Sequence, residues 1–462
     1  MTTKISCHLK MKMESMLIIW IFLGVSFRLP FRLEAFSVPS KLELGLVSNY
    51  PRVLSMARGG QIQSSDESLS PELHTNNDVK RAIVVGGGPV GLAAALTLAN
   101  EPHSYDVHIY ESSEKDDYFN FDPAKAFLYL LSNKGQTFTE KYPSLQKKLQ
   151  EQGVSSLENK FTKVPPEIET PIPEPKLLPI TKTKSASYWI PRHEFTSILF
   201  ETIEEHEKER QQANDSKKGK IECFFGKKFI SLHPTKDNNS ENGSLVMTAK
   251  DHATGAEVTD EAKLIVGSDG WKSQVRETLK SGGSNDDFVS VFDQFRAERF
   301  QVKKWSSPST GLRLKALQLP AKFQIPNSDG TVFQTKGSNS YSITGKNSGP
   351  RNFLKLGCLP MMNDNVVRPG NCITRPDHEV WTLKSGEEIQ AWFQKNYPRM
   401  PFQKESDGGI ISDKEWERFA KAEGIAFPPC QYSPALQASS SKQDFGVVLV
   451  GDSGTSSFFF YA

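Results

Sequence analysis

Arg81-Ala82-Ile83-Val84-Val85-Gly86-Gly87-Gly88-Pro89-Val90-Gly91 is the stretch whose reading decides the fold. A short β-branched run, three glycines and the Ala/Leu-rich segment Gly91–Asn100 read as strand, tight turn and helix. Asp106–Tyr110 alternates as a second strand, completing a βαβ unit of about thirty residues. The glycines fit GxGxxG and lie between strand and helix, where the pattern has a mechanism. Gly86 permits the turn, Gly88 lets backbone approach a pyrophosphate, and Gly91 lets the helix pack close to the sheet. The helix N-terminus turns free N–H groups toward phosphate. Glu111 ends the second strand 20 residues after Gly91. A carboxylate there accepts hydrogen bonds from ribose hydroxyls and repels a 2′-phosphate, so the site suits FAD or NAD rather than NADP.

Two further segments extend the pattern. Leu264-Ile265-Val266-Gly267-Ser268-Asp269-Gly270-Trp271-Lys272-Ser273-Gln274-Val275-Arg276 reads as a buried strand that delivers Asp269 to a ligand edge. Gly270 lets the backbone close in there, and Arg276 supplies positive charge. Val447-Val448-Leu449-Val450-Gly451-Asp452 is a late buried strand ending in Gly-Asp. All three occur in the order found in the flavin-dependent aromatic-ring monooxygenases, which this chain resembles, and within them it is most similar to the kynurenine 3-monooxygenases. Leu130–Gly135, Ile190-Pro191-Arg192-His193-Glu194-Phe195, Leu359–Asn363 and Trp392–Pro398 also resemble segments of that family, so the similarity runs from about Arg81 to Asp452.

The resemblance implies that Asp269 and Arg192 contact FAD, that Asp452 reaches its ribityl chain, and that Val90, Phe229 and Gln274 lie at further cofactor contacts. With Gly86, Gly88, Gly91, Glu111, Gly270 and Gly451 these form the candidate cofactor set; no catalytic acid or base is assigned. The implied activity is that of an NAD(P)H-using FAD monooxygenase, which inserts one oxygen atom of molecular oxygen into an aromatic or electron-rich small molecule through a flavin hydroperoxide. No second GxGxxG is present, so NAD(P)H is expected to bind transiently. A non-catalytic or degenerate FAD-fold protein and an FAD epoxidase or dehydrogenase are the alternatives.

The chain departs from the family in two places. Gly153–Lys163 lacks the Arg with which kynurenine 3-monooxygenases grip their amino-acid substrate, and Lys160 is the nearest cation. After Asp452 the family continues into a Pro and a Gly-x-Gly opening a long helix, whereas this chain reads Ser453–Ala462, as expected of a truncated or mis-spliced gene model.

Composition narrows the rest. Fifty-six basic against 54 acidic residues, with no basic stripe, give no footprint for nucleic acid. Cys7, Cys223, Cys358, Cys372 and Cys430 lack CxxC spacing and the histidines lack HExxH, so neither a metal site nor a disulfide framework is expected.

Lys4, Lys10 and Lys12 precede an apolar run Leu17–Phe27, too short for a comfortable membrane span and typical of a secretory signal. Glu34-Ala35-Phe36-Ser37-Val38-Pro39 and an acid-poor stretch follow. The arrangement resembles the bipartite plastid presequences of algae with secondary plastids; the alternative is the secretory pathway. Membrane contact is expected only through this segment.

The expected fold is α/β, a doubly wound Rossmann-like FAD-binding core with an inserted, mostly antiparallel β-sheet substrate region. Its divisions are a presequence 1–60, a linker 61–80, a core 81–284 with a proline-rich loop at Pro165–Pro179, a sheet region 285–380 and a return to the core over 381–462. Helix is expected over Lys125–Gln152 with a break at Ser132–Gly135, over Glu194–Glu209 and over Gly386–Tyr397; 285–380 alternates without helical period.

Overall fold

β1 (Arg81–Val85) is buried on both faces because it sits inside a six-stranded sheet. The computed structural model describes residues 80–120, 128–177, 186–213, 217–235, 243–283, 286–305, 311–349, 352–362, 367–427 and 430–456. The presequence, the linker and the end of the C-terminal tail therefore lie outside the described residues. β1 pairs in parallel with β2 (Asp106–Tyr110), which pairs with β3 (Ile221–Phe224). On its other side β1 pairs in parallel with β4 (Leu264–Gly267). Antiparallel β5 (Gln437–Ser440) borders β6 (Phe445–Leu449), which lies parallel to β4, so the order is β5-β6-β4-β1-β2-β3. The chain moves outward from β1 to β2 and returns on the far side as β4. The β1/β4 boundary is therefore the topological switch point, the place where open α/β sheets hold ligands.

Alternation along β1 separates two cores. Ala82 and Val84 face helices α1 (Pro89–Ala99) and α2 (Arg192–Ala213), whose Leu92, Leu96, Ile198, Leu199 and Ile203 are buried against them. Ile83 and Val85 face an antiparallel three-stranded sheet through Phe229, Leu232, Leu245 and Met247. Each such side chain contributes about 1.5–3 kcal/mol by leaving water.

A seven-stranded sheet forms the second large element, in the order Ile425–Ala426, Arg313–Pro320, Val367–Thr374, Leu354–Cys358, Ser340–Thr344, Lys160–Val164, Lys176–Leu177. It is antiparallel except where Ser340–Thr344 runs parallel to Lys160–Val164. Four of its strands come from 285–380 and three from outside it, one of them inside the proline-rich stretch. One face is closed by helices Gly386–Asn396 and Asp413–Lys421 through Ile389, Trp392, Phe393, Trp416 and Phe419.

Several local expectations change. Leu128–Leu131 is a strand paired with Tyr188–Pro191, not helix, and Asn133–Gly135 opens a helix, Asn133–Thr139, instead of breaking one. A four-residue apolar run carries no period, and its partner is sixty residues away. Within 285–380 there is a short helix, Asp286–Ser290, whose Phe288 packs edge-on to Phe292. Helix Asp413–Lys421, capped by Ser412, was not expected. Gly386–Asn396 does form, closed by a reciprocal Ser385–Glu388 capping box. No described helix is long and apolar enough to cross a membrane.

Candidate functional site

The ends of β1 and β4 meet over Gly86. Val85 is in register with Gly267, and the next residues touch. Ser268 N donates to Val85 O at 2.9 Å, while its hydroxyl is shared between Val85 O at 2.8 Å and Gly86 O at 2.9 Å. Gly86 has φ +102, and a Cβ there would fall 2.7 Å from Ser268 O, so turn and close approach both demand glycine. A Cβ on Gly91 would lie 1.9 Å from Gly86 O. The expected reason for Gly91, a helix seated tightly on the sheet, is what the geometry shows.

Gly88 differs. Its φ is −66, and a Cβ would meet only Arg192 Nη2, at 3.9 Å. Nothing in the protein's own packing requires glycine here. The bare backbone opens a cradle at the head of α1, whose first turn has no side-chain cap and begins with Pro89.

That cradle belongs to a cavity of about 490 Å³ lined by Gly86, Gly88, Glu111, Arg192, Phe229, Asp269, Gly270 and Gln274, together with residues the sequence did not single out. Its size falls in the range of small-molecule sites. Glu111 is fixed by backbone: Oε2 accepts from Gly87 N at 2.8 Å, and Oε1 accepts from Ser113 N at 2.8 Å and the Ser112 hydroxyl at 3.1 Å. Oε2, with a single donor, keeps acceptor capacity. Asp269 Oδ2 accepts from Gln274 N at 2.6 Å and Val275 N at 3.2 Å, whereas Oδ1 is buried without a hydrogen-bond partner among the described residues. Burial pushes the Asp269 carboxyl up, against the opposing pull of Ser273 and the backbone N–H groups at the start of α3 (Gln274–Lys280). Gly270, at φ +81, turns the chain away behind it.

Arg192, the first residue of α2, brings the cavity its central cation and has no ion-pair partner among the described residues. Its positive charge lies near Tyr129, whose phenol is pushed up by burial and by the Asp452 charge, against the downward pull of Arg192. Asp452 thus lies near Tyr129, on the turn Gly451–Ser453 whose Ser453 is buried, and outside the cavity lining. Val90 and Gly451 meet each other instead: a Cβ on Gly451 would sit 3.0 Å from Val90 Cγ2. Gly91 is buried under the turn.

Arg276 requires a correction. It does not supply charge to the cavity. Only 3% exposed, it donates from Nη1 to Ser453 O at 2.6 Å and from Nη2 to Trp271 O at 3.0 Å, clamping the two later motifs together. Burial pulls its pKa down. The spacing that placed it after Asp-Gly said nothing of which way the first turn of α3 faces.

Tyr118, Lys227, Lys228 and Lys272 also line the cavity. Tyr118 donates to Gly87 O at 2.5 Å and is held edge-on to Phe119 and Phe225. Lys227 is paired with Asp251, and Lys272 lies 5.0 Å from the Trp271 ring centre. Only the neighbouring Phe229 and Trp271 pointed to these lysines, and nothing local marked Tyr118. At the start of α2 burial raises Glu194 to about 7 and lowers His193. Among the described residues the cysteines form no disulfide, and no group of His, Cys, Asp and Glu could hold a metal ion.

No family model matches the chain, and no curated protein matches it. Similar solved structures include the flavin-dependent monooxygenase PieE in complex with FAD and substrate, with TM-score 0.49 and 14% identity over 82% of this chain and 54% of that one. The tetrameric 2-methyl-3-hydroxypyridine-5-carboxylic acid oxygenase follows at TM-score 0.48 and 17% identity, covering 82% and 76%. Aklavinone-11 hydroxylase with FAD and aklavinone has TM-score 0.46 and 13% identity, covering 82% and 58%. The chain thus spans little more than half the length of the first and of the last. At such identities and scores the chemistry of the cavity stands on its own residues.

Proposed function

We propose that this chain is an FAD-dependent oxidoreductase, a monooxygenase that draws electrons from NAD(P)H and places one oxygen atom on an aromatic or electron-rich small molecule. The observation that carries the reading is the convergence, at the switch point, of a bare Gly88 cradle, the Glu111 carboxylate, Arg192 and Asp269 Oδ1, the last two without an ion-pair or hydrogen-bond partner, respectively, among the described residues. These groups fit the dinucleotide half of FAD. Gly88 and the first turn of α1 would take the pyrophosphate, with Arg192 balancing its charge. Glu111 would accept from ribose hydroxyls, and its negative charge would keep out a 2′-phosphate. Asp269 Oδ1 would accept one further hydrogen bond.

When bound, the flavin supplies the redox and oxygen chemistry. The protein's contribution is to hold the phosphates, orient the ribose through a carboxylate already fixed by Gly87 and Ser113, and shut water from the switch point. The test is FAD retained by the purified chain, followed by NAD(P)H-dependent oxygen uptake stimulated by aromatic compounds. Retained FAD without stimulated uptake would leave a flavin-binding scaffold or a dehydrogenase. Absence of FAD would overturn the reading. The N-terminal segment is proposed to direct the chain to a plastid by way of the secretory pathway; a presequence–reporter fusion secreted or left in the cytosol would refute this.

A further inference from the structure

The seven-stranded sheet has two unlike faces. One sends Val164, Leu317, Ile343, Leu354, Leu356 and Cys372 into an apolar core. The opposite face is polar at its centre. Thr344 and Ile373 stand on either side of Lys355, and one pleat along, Ser342 and Asn371 stand on either side of Gly357. Side chains directly across from each other and two residues apart share a face, so these residues form two adjoining rows.

Ser342, Lys355 and Asn371 are 3%, 5% and 6% exposed. Yet Ser342 Oγ, Thr344 Oγ1, Lys355 Nζ and Asn371 Oδ1 are buried without a hydrogen-bond partner among the described residues. Folded proteins pair the large majority of such side-chain atoms, so four on one patch of one sheet is a concentrated unmet demand. The ammonium is the costliest of them. No carboxylate stands within ion-pair distance of Lys355 among the described residues, and its nearest compensation is the Phe353 ring, 5.6 Å away. Burial, and then the charge of Lys163, push its pKa down to about 7. Between Ser342 and Asn371 the sheet is bare: a Cβ on Gly357 would meet only Asn371 O, at 3.9 Å. A glycine inside a strand commonly marks close approach of a ligand or another backbone.

We propose that this notch, floored by Gly357 and lined by Ser342, Thr344, Lys355 and Asn371, binds the carboxylate of a small molecule. One ammonium and two hydroxyls supply donors for a singly charged, acceptor-only group, and Asn371 Oδ1 accepts from a hydroxyl or amino group beside it. Among the described residues Lys355 is the one buried ammonium beside Gly357, the neighbouring Lys163 being exposed, and a single buried positive charge matches a singly charged group. Binding supplies the missing counter-charge to Lys355 and is therefore strongest where that amine is protonated. The notch holds a carboxylate whether or not FAD is present; that this carboxylate belongs to the oxygenation substrate rests on the function proposed above.

The experiment is titration calorimetry on the full chain at pH 6.5 and 8.5, with benzoate against benzamide and 3-phenylpropionate against its amide. At least one acid is expected to bind about tenfold or more tightly than its amide, and to weaken about tenfold from pH 6.5 to 8.5 as Lys355 loses its proton. Lys355→Met and Gly357→Val should each cost about tenfold or more, the first by removing the charge and the second by filling the notch. Thermal melting reports folding. Lys355→Met should melt no lower than wild type, since it deletes an uncompensated buried charge; a lower melting point would mean that the amine is structural and would overturn the proposal. Equal affinity for acid and amide, or for Lys355→Met and wild type, would also overturn it. FAD retained without carboxylate binding sinks this proposal alone; carboxylate bound without FAD sinks only the flavin reading.

Discussion

Gly88 and Gly357 are both glycines that the protein's own packing does not require, since a Cβ on either would meet one atom at 3.9 Å. Their surroundings differ. Around Gly88 most polar groups are already held by nearby backbone: Glu111 by Gly87 and Ser113, Asp269 by Gln274 and Val275. Around Gly357 the polar groups come from three strands, and none of the four named atoms has a hydrogen-bond partner among the described residues. The first site is pre-organised by turns, which fix their own hydrogen bonds. The second is a patch where strands present groups to one side while the ladder consumes the backbone donors. Pre-organisation of the first kind favours tight retention of a cofactor; an unmet patch stores a cost that a ligand can relieve.

Four substitutions would break or sharpen this contrast. The largest effect is expected from Gly91→Val. With a Cβ 1.9 Å from Gly86 O, the helix cannot seat, and soluble yield and the circular dichroism melt should show loss of the fold, a penalty of about 4 kcal/mol or more. Gly88→Val should fold with a melting point within a few degrees of wild type yet retain at least about tenfold less FAD, because its side chain enters the cradle. Unchanged flavin content, read from the absorbance spectrum, would remove the dinucleotide assignment.

Arg276→Met should destabilise by about 2 kcal/mol in urea unfolding, through the lost bonds to Ser453 O and Trp271 O. Its FAD affinity should change far less than that of Arg192→Met; the reverse order would mean that Arg276 faces the cofactor after all.

The remaining prediction concerns pH. Lys355 titrates near 7 in the folded chain against 10.5 as its ordinary value. Its destabilisation is therefore complete below about pH 7 and fades as pH rises toward 10.5, where the unfolded chain also loses the proton. The stability advantage of Lys355→Met should shrink over that window in denaturant titrations. A constant gap would mean that the amine is not held unpaired.

What was legible in the residues was what local geometry dictates. β1, the glycine turn, α1 and β2 are specified within thirty residues by apolar run, glycine spacing and strand alternation. Gly386–Tyr397 was legible as a helix, and the structure adds the Ser385–Glu388 cap that opens it. By contrast, Leu128–Leu131 is a strand only because Tyr188–Pro191 lies beside it, and Arg276 faces Ser453 only because β6 returns next to β4. Tyr118 reaches the glycine loop from the short helix Lys115–Phe119, which no pattern marks.

The sequence by itself determined the βαβ unit, the glycines that admit a phosphate, the acidic residue at the end of β2 and the order of the three motifs, because each depends on neighbours a few residues apart. Only the tertiary structure decided that eight of the twelve candidate residues line one cavity while Val90, Gly91, Gly451 and Asp452 are not in its lining. It alone placed Ser342, Lys355, Gly357 and Asn371 side by side. Such groupings follow from strand register and sheet order, set by burial of distant apolar faces against one another, and a strand's own residues do not name its partners.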